Sequence, residues 1–368
     1  MDTEACMRIG ILTSGGDCCG LNAVIRAIGL YASENIKNVE IVGIPDGYGG
    51  LIRGECFPLE KEIFSGIIDR GGTILGTSRQ PFKQMTVAEN GVTRLEKMRE
   101  NYEKMKLDCL FTLGGAGTHK TAALLCMEGC NVIGVPKTID NDIYGTDVTF
   151  GFQTAVEVAT ENIDRIKTTA SSHGRTMLVE IMGNKAGWLA LHAGIASAAD
   201  MILIPEIPFS VDAVCDFIAE KEKSGASCNI IAVAEGAVLD TEVKYKKSER
   251  VFVRPERGET TVTNHLAEVI GQRTGCETRV SVLGYVQRGG SPCAYDRVLS
   301  SRLGGYAGKL AKEGRFGVTV AVNGNRITFN SLTDIAGKYK LVPPEGEIVR
   351  FAKDIGISFG ERKQNSQQ

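Results

Sequence analysis

A short polar segment, residues 137–142 (KTIDND), carries the residue types that a phosphoryl transfer requires. It follows an apolar run and contains Lys137, Thr138 and two carboxylates, Asp140 and Asp142. Transfer of a phosphoryl group to an alcohol needs a base beside the hydroxyl and positive charge beside the moving group. We therefore interpret Asp140 as a base, Lys137 as a charge clamp, and Asp142 as an orienting or metal-binding residue. The alternative is an Asx-rich turn that caps the next helix.

Two glycine-rich turns have the composition of phosphate-binding turns. Residues 15–17 (GGD) and 114–118 (GGAGT) each lie between an apolar run and a helical pattern. Glycine lets backbone amides approach a phosphate, and the N-terminus of the following helix adds a partial positive charge. Neither turn is a Walker loop or a dinucleotide fingerprint, and an ordinary strand-to-helix turn also needs glycine. Two such turns in one half of the chain indicate a polyphosphate ligand.

Arginines near glycines and hydroxyls form a third group of candidates. Arg175, Arg279 and Arg288 lie in such surroundings near the ends of predicted strands. The planar guanidinium fork suits the phosphate of a sugar phosphate. A single arginine is more often a surface residue, but the concentration of three at strand ends favours anion binding.

The elements that must position these residues alternate between strand and helix. Runs of Val, Ile and Leu without polar alternation are typical of strands buried on both faces, and they predict strands at residues 8–14, 110–113, 131–135, 177–181, 201–204 and 230–234. Helical patterns follow at residues 22–34, 118–127 and 152–168. This order indicates an α/β protein with parallel sheets flanked by helices. A break near residue 151 divides the chain into two such units, and we expect the ligands in a cleft between them.

Composition and charge exclude several classes of protein. The 368 residues include 42 basic and 44 acidic side chains, a net charge of -2, which favours neither nucleic acid nor an anionic membrane as a partner. No apolar run reaches the roughly 18 residues of a membrane span, and the acidic N-terminus is unlike a signal peptide, so we expect a cytoplasmic protein. Residues 239–263 are highly charged and are expected to form a surface insertion, either a solvated loop or a basic docking site.

Taken together, these segments closely resemble the phosphofructokinase family over about residues 8–304. The glycine turns are shared with lipid and NAD kinases, whereas TIDND and QRGG are much more specific. The segments that carry the resemblance are SGGD at 14–17, GGTILG at 71–76, PKTIDND at 136–142, MG at 182–183 and QRGGSP at 287–292. The resemblance implies two Rossmann-like lobes with the active site in the interlobe cleft. The donor lobe would comprise residues 1–151 and about 287–340, and the sugar-phosphate lobe residues 152–286 and the C-terminal segment.

The resemblance also implies a reaction: transfer of a phosphoryl group from ATP, or alternatively pyrophosphate, to the 1-hydroxyl of fructose 6-phosphate, with Mg²⁺, in glycolysis. Asp140 is then the expected base, with Thr138, Lys137 and Asp142 beside it. The positions that match sugar-phosphate contacts are Thr138, Asp140, Arg175, Met182, Gly183, Asn184, Glu235, Arg279, Tyr285 and Arg288. The positions that match donor contacts are Gly16, Arg79, Gly115, Gly117 and Thr118. Arg175 and Arg279 match arginines from a neighbouring subunit, which implies a homodimer or homotetramer with active sites at subunit interfaces.

Several positions depart from the family pattern. Ala116 stands where the family usually has an aspartate that helps to hold Mg²⁺, Asn184 replaces an arginine, and Tyr285 replaces a histidine. Gly117 resembles enzymes that use ATP, because an aspartate there would block the α-phosphate, whereas Lys137 resembles enzymes that use pyrophosphate. The leading hypothesis is therefore an ATP-dependent 6-phosphofructokinase. The alternatives are a pyrophosphate-dependent enzyme and a weakly active regulatory or binding paralogue that lacks the metal carboxylate.

Overall fold

The computed structural model describes residues 6–225, 228–245 and 261–362. The chain divides into two units, each made of two separate stretches of sequence. The first unit comprises Met1–Thr154 and Arg288–Lys340, and the second comprises Ala155–Gln287 and Leu341–Gln368. None of the helices in the described part of the chain is both long and apolar enough to cross a bilayer.

The strands of the described residues fall into three sheets. In chain order they are β1 (Met7–Ser14), β2 (Val39–Ile44), β3 (Phe57–Pro58), β4 (Ala88–Glu89), β5 (Val92–Thr93), β6 (Cys109–Gly114), β7 (Val132–Pro136), β8 (Thr176–Ile181), β9 (Met201–Leu203), β10 (Asn229–Ala234), β11 (Thr278–Val282), β12 (Val318–Asn323) and β13 (Arg326–Ser331).

Helices alternate with these strands through most of the chain. They are α1 (Leu21–Asn35), α2 (Tyr48–Arg53), α3 (Arg94–Lys104), α4 (Ala116–Met127), α5 (Phe152–His173), α6 (Trp188–Ala196), α7 (Val211–Lys223), α8 (Val262–Thr274), α9 (Ala294–Lys312), α10 (Leu332–Ile335) and α11 (Glu347–Asp354). Short 3₁₀ turns occur at Lys61–Gly66, Phe82–Gln84, Asp240–Glu242 and Gly284–Arg288.

The first unit is built on a seven-stranded sheet in the order β13-β12-β7-β6-β1-β2-β3. The central strands run parallel, and the antiparallel strands β13 and β3 form its two edges. Every residue of β6 and β7 is buried, as expected for strands with both faces covered. The strand order changes direction between β1 and β6, and a parallel sheet leaves a crevice for ligands at the carboxyl ends of strands at such a point.

The second unit contains a four-stranded parallel sheet in the order β11-β8-β10-β9. Apolar side chains of this sheet pack against α7 and α8, and Leu178, Ile231, Val214 and Leu266 are members of that buried cluster. The α/β class predicted from the sequence is confirmed in both units. Each predicted strand is also present within one or two residues of its expected bounds.

We expected residues 239–263 to form a surface insertion, but both ends of this charged stretch are buried. Leu239 is buried in the core of the second unit, and Thr263 is fully buried near the start of α8. The two ends of the stretch are therefore part of the packed interior and not of a solvated loop. Residues 246–260, which hold most of its basic side chains, lie outside the described residues.

Candidate active site

Three neighbouring strands of the first unit end at the same level. The register pairs Ser14 of β1 with Gly114 of β6, and Gly114 with Pro136 of β7. Because the strands are parallel, the segments that follow them leave the sheet side by side. Both glycine turns and residues 137–142 are therefore neighbours at the switch point of the sheet.

These segments line a single cavity of about 430 Å³ within the first unit. It brings together all the predicted catalytic and donor positions with three of the predicted sugar-phosphate positions, Thr138, Asp140 and Arg288. The predicted residues that line it are Gly16, Arg79, Gly115, Gly117, Thr118, Lys137, Thr138, Asp140, Asp142 and Arg288, together with Ala116.

The two glycines of the first glycine turn have different roles. Gly15 has a φ of 88°, in the left-handed region that side chains disfavour. Gly16 lies against Arg288, and a Cβ at residue 16 would be 1.9 Å from its guanidinium nitrogen. The turn thus places a guanidinium directly beside a half-buried glycine backbone that lines the cavity, a combination suited to phosphate oxygens.

Lys137 is the buried cation of the site, with 5% of its surface exposed. Its Nζ donates to the carbonyl oxygen of Gly16, so the side chain lies under the first glycine turn. Burial lowers the pKa of Lys137, Arg288 lowers it further, and Asp17 and Asp140 oppose the shift. The charges of a bound polyphosphate would favour the protonated form, because they are of opposite sign.

The second glycine turn forms the N-terminus of α4. Its first-turn amides have no acceptor within the helix, and Tyr48 donates from its hydroxyl to the Thr118 carbonyl at 2.9 Å. A Cβ at Gly117 would meet no other atom within 4 Å, so packing does not require glycine there. The space beside Gly117 is open to a ligand.

The segment that carries Asp140 is fixed by hydrogen bonds from backbone amides to its side-chain oxygens. The Asp140 amide donates to Thr138 Oγ1 at 3.1 Å. Asn141 is buried with a φ of 51°, and its Oδ1 accepts from the Thr149 amide at 3.1 Å. Asparagine tolerates this left-handed conformation, so Asn141 makes the tight turn between the two aspartates possible.

Lys340 holds the next part of this loop. Its backbone amide donates to the carbonyl of Asp142 at 2.9 Å, and its Nζ donates to the carbonyls of Thr146 and Asp147 at 3.0 and 2.7 Å. Burial lowers the pKa of Lys340 to about 8, although Asp147 and Asp142 oppose the shift. A residue far away in sequence therefore anchors the loop behind Asp140.

Most of the predicted sugar-phosphate positions lie in the second unit. Ile181 and Ala234 are paired at the ends of β8 and β10, so Met182, Gly183 and Glu235 follow side by side. The Met182 amide donates to Gln287 Oε1 at 3.3 Å. Two further predicted positions in this unit, Asn184 and Tyr285, are exposed, and Tyr285 exposes 80% of its surface.

Arg175 and Arg279 lie away from that group. Arg175 immediately precedes β8, whereas Met182 immediately follows it, and seven residues of extended strand span about 20 Å. Both arginines form ion pairs with Glu277, at 3.0 Å for Arg175. These two residues therefore form a separate cationic pair at the amino end of β8.

Comparison with known proteins then identifies the family. A model described as Phosphofructokinase matches residues 8–311 of this chain. The chain belongs to the phosphofructokinase family. The family resemblance seen in the sequence is thereby confirmed.

Individual members of the phosphofructokinase family are similar over nearly the whole chain. An ATP-dependent 6-phosphofructokinase of Spirochaeta thermophila is 48% identical over 365 residues, covering 98% of this chain and 100% of the relative. A pyrophosphate–fructose 6-phosphate 1-phosphotransferase of Amycolatopsis methanolica is 47% identical over 343 residues, covering 92% and 97%. The structure of phosphofructokinase from Saccharomyces cerevisiae superposes with a TM-score of 0.76 at 29% identity, over 90% of this chain but only 45% of the yeast chain.

The residues at this phosphofructokinase site do not form a metal cage. In residues 6–225, 228–245 and 261–362, no group of three or more His, Cys, Asp or Glu side chains is arranged to hold a metal ion. Asp17, Asp140 and Asp142 do line the cavity. This set fits an ion held by one or two carboxylates together with phosphate oxygens and water, which is the usual mode for Mg²⁺.

Sequence reasoning missed several residues that line the cavity. Tyr48, Gln80 and Thr121 are among them. Gln80 Oε1 accepts from Arg94 at 2.9 Å, so Arg94 holds the side chain of this lining residue in place. The sequence offered one indication for each of two residues. Gln80 directly follows the predicted donor residue Arg79, and Tyr48 lies in a glycine-rich stretch after β2.

Proposed function

We propose that this chain transfers the γ-phosphoryl group of ATP to the 1-hydroxyl of fructose 6-phosphate, forming fructose 1,6-bisphosphate in glycolysis. The observation that carries the proposal is that Asp140 and both glycine turns line the same cavity. The names of close relatives support fructose 6-phosphate as acceptor and ATP as donor.

In this mechanism Asp140 accepts the proton of the sugar 1-hydroxyl as that oxygen bonds to phosphorus. The bond from phosphorus to the bridging oxygen of ATP breaks, and ADP leaves. Lys137, Arg288 and the amides of the two glycine turns stabilise the negative charge on the transferred group. In the second unit, Met182, Gly183 and Glu235 are proposed to hold the sugar, with Asn184 and Tyr285 nearby.

Mg²⁺ is proposed as the metal cofactor. Asp17 and Asp142 are the side chains that would hold it, together with phosphate oxygens and water. Bound there, the ion would neutralise charge on the donor phosphates. The lack of a carboxylate at Ala116 is compatible with this mode, because the phosphates themselves supply most of the ligands.

Pyrophosphate is the second candidate donor. The buried Lys137 under the first glycine turn favours it, as does the name of the Amycolatopsis relative. The open space beside Gly117 favours ATP, because a nucleotide extends beyond its terminal phosphates.

A donor-swap assay decides between the two donors. We expect a higher kcat/KM with ATP than with pyrophosphate at saturating Mg²⁺ and fructose 6-phosphate. The variant Gly117→Asp should lower kcat/KM for ATP by about tenfold or more through repulsion of the α-phosphate, while Gly117→Ala and the pyrophosphate reaction change little. A higher kcat/KM with pyrophosphate in the wild type would overturn ATP as the preferred donor.

The separation of Arg175 from Met182 supports an oligomer. Because Arg175 and Arg279 lie at the opposite end of β8 from Met182 and Gly183, we propose that each chain supplies them to the sugar phosphate bound by a neighbouring subunit. The assembly would be a homodimer or homotetramer. Cytoplasmic location, predicted from the N-terminus and composition, stays a prediction.

A further inference from the structure

A buried histidine lies directly behind the second glycine turn and has no part in the mechanism above. His119, on α4, is 1% exposed. Its Nδ1 lies 2.9 Å from the Gly115 carbonyl oxygen and its Nε2 lies 2.8 Å from Thr319 Oγ1. Thr319 belongs to β12, 200 residues further along the chain. The ring therefore links the donor turn to a distant strand of the same sheet.

The partners of the ring fix its tautomer. A carbonyl oxygen can only accept a hydrogen bond, so Nδ1 must carry the proton that is donated to Gly115. In neutral histidine Nε2 is then an acceptor, and the Thr319 hydroxyl donates to it. Burial lowers the pKa of His119 to about 4, with a further contribution from Lys137, so the ring is neutral near pH 7.

A glycine in the neighbouring strand leaves space for the contact between His119 and Thr319. Gly134 of β7 is the register partner of Thr319. A Cβ at residue 134 would lie 2.9 Å from Thr319 Oγ1 and 3.0 Å from His119 Nε2. Any larger residue would push the hydroxyl and the ring apart, so the glycine is explained by the histidine–threonine contact.

The hydrogen bond to Gly115 has a consequence on the cavity side. The Gly115 carbonyl accepts both the His119 backbone amide, at 3.0 Å, and Nδ1, and this double contact fixes the peptide plane. In a trans peptide the carbonyl and the next amide point in opposite directions. With the Gly115 carbonyl held inward along α4, the Ala116 amide points outward, where Gly115 and Ala116 line the cavity.

We propose that His119 is a positioning residue for the phosphoryl donor: anchored by Thr319, it holds the Gly115–Ala116 peptide so that the Ala116 amide faces the donor phosphates. The inference rests on the proposed function. It gives this chain, which has alanine where its family usually has a metal carboxylate, a fixed backbone donor at the same position.

Two conservative variants separate this role from simple packing. Asparagine places an amide nitrogen where Nδ1 was, so His119→Asn keeps a donor to Gly115 and loses Thr319. Glutamine reaches the place of Nε2, so His119→Gln keeps Thr319 and loses Gly115. Because asparagine is smaller and leaves a larger cavity, it should cost more stability than glutamine.

The test measures KM for ATP, KM for fructose 6-phosphate, kcat and Tm for both variants, and the Kd for ATP by calorimetry. We expect His119→Gln to raise KM and Kd for ATP about tenfold, as for loss of one hydrogen bond that orients a donor, with KM for fructose 6-phosphate little changed. His119→Asn should keep ATP binding within about threefold of the wild type despite its lower Tm. The inference is overturned if His119→Asn binds ATP as weakly as His119→Gln, or if neither variant changes ATP binding.

Failure of the proposed function would be seen separately, as a wild-type protein without turnover. The Kd for ATP, measured by calorimetry, would still test the inference in that case.

Discussion

In the proposed mechanism, Ala116 and its neighbours hold the donor phosphates. The side chain at residue 116 brings no charge. The charged side chains that line the cavity are the cations Arg79, Lys137 and Arg288 and the carboxylates Asp17, Asp140 and Asp142. Amides and cations can bind phosphates without a protein cage for the metal. An active enzyme is therefore compatible with alanine at this position.

The variant Ala116→Asp tests this view. We expect kcat to change by less than about tenfold, because in the proposed mode Mg²⁺ would be held mainly by phosphate oxygens and water. The measurement is kcat at saturating Mg²⁺ and both substrates, with Ala116→Asn as the neutral control of the same shape. A rise of several hundredfold in the aspartate variant alone would show that the wild type is a weakly active paralogue limited by a missing metal ligand.

At the scale of the elements, the proposed donor site depends on helix α4 and strand β12. α4 presents its N-terminal turn to the cavity, and β12 supplies the Thr319 hydroxyl that anchors His119. The contact between His119 and Thr319 is buried in the first unit, where a neutral imidazole is favoured over a charged one. The stability of this pair of elements should therefore depend on pH.

The depressed pKa of His119 sets the direction of that dependence. Between about pH 6.5 and the folded-state pKa of about 4, the unfolded chain binds the proton that the folded chain excludes. Stability from this group is thus fully present above pH 6.5 and is lost as the pH falls through 4. From pH 7 to pH 5 the loss should be about 2 kcal/mol.

Urea unfolding of the wild type and of His119→Asn at both pH values measures this loss. The free-energy difference between the two proteins should shrink by that amount at pH 5, because the variant lacks the titrating group. An unchanged difference would show that the ring is not buried as a neutral group.

The central strands and their turns could be predicted from the sequence, and the contacts between distant elements could not. β1, β6 and β7 are apolar runs that end in glycine or polar residues, so local pattern alone located the sheet and the residues at its carboxyl edge. The antiparallel edge strand β13 is only partly buried and gives no such run. Tyr48 and Gln80 lie in turns whose paths depend on packing, and the His119–Thr319 contact joins residues 200 positions apart. No local pattern encodes pairings of that kind.

At the scale of the whole molecule, the placement of Arg175 and Arg279 at the amino end of β8 supports the proposed sharing of these residues between subunits. The second unit carries the proposed sugar contacts at the carboxyl end of β8 and the arginine pair at its amino end. One chain cannot bring both ends of a strand to one phosphate. Symmetric assemblies solve this by exchanging residues across an interface.

Subunit complementation tests this sharing. Asp140→Asn and Arg175→Ala should each be nearly inactive alone, and dissociating, mixing and reassembling them should restore about a quarter of wild-type activity, because half of a random dimer mixture is heterodimer with one intact site. Mixing each variant with itself is the control. No recovery, with mixed oligomers shown to form, would mean that Arg175 acts within its own chain or does not act on the substrate.

The most direct test of the account is kcat for Asp140→Asn with ATP and fructose 6-phosphate at saturating Mg²⁺. Asparagine keeps the shape of the side chain but cannot accept the hydroxyl proton, so kcat should fall by about 10²- to 10⁴-fold while KM for both substrates changes little. Asp147→Asn, in the same loop but outside the cavity lining, is the matched control and should retain activity. Undiminished kcat in Asp140→Asn would contradict the assignment of Asp140 as the base.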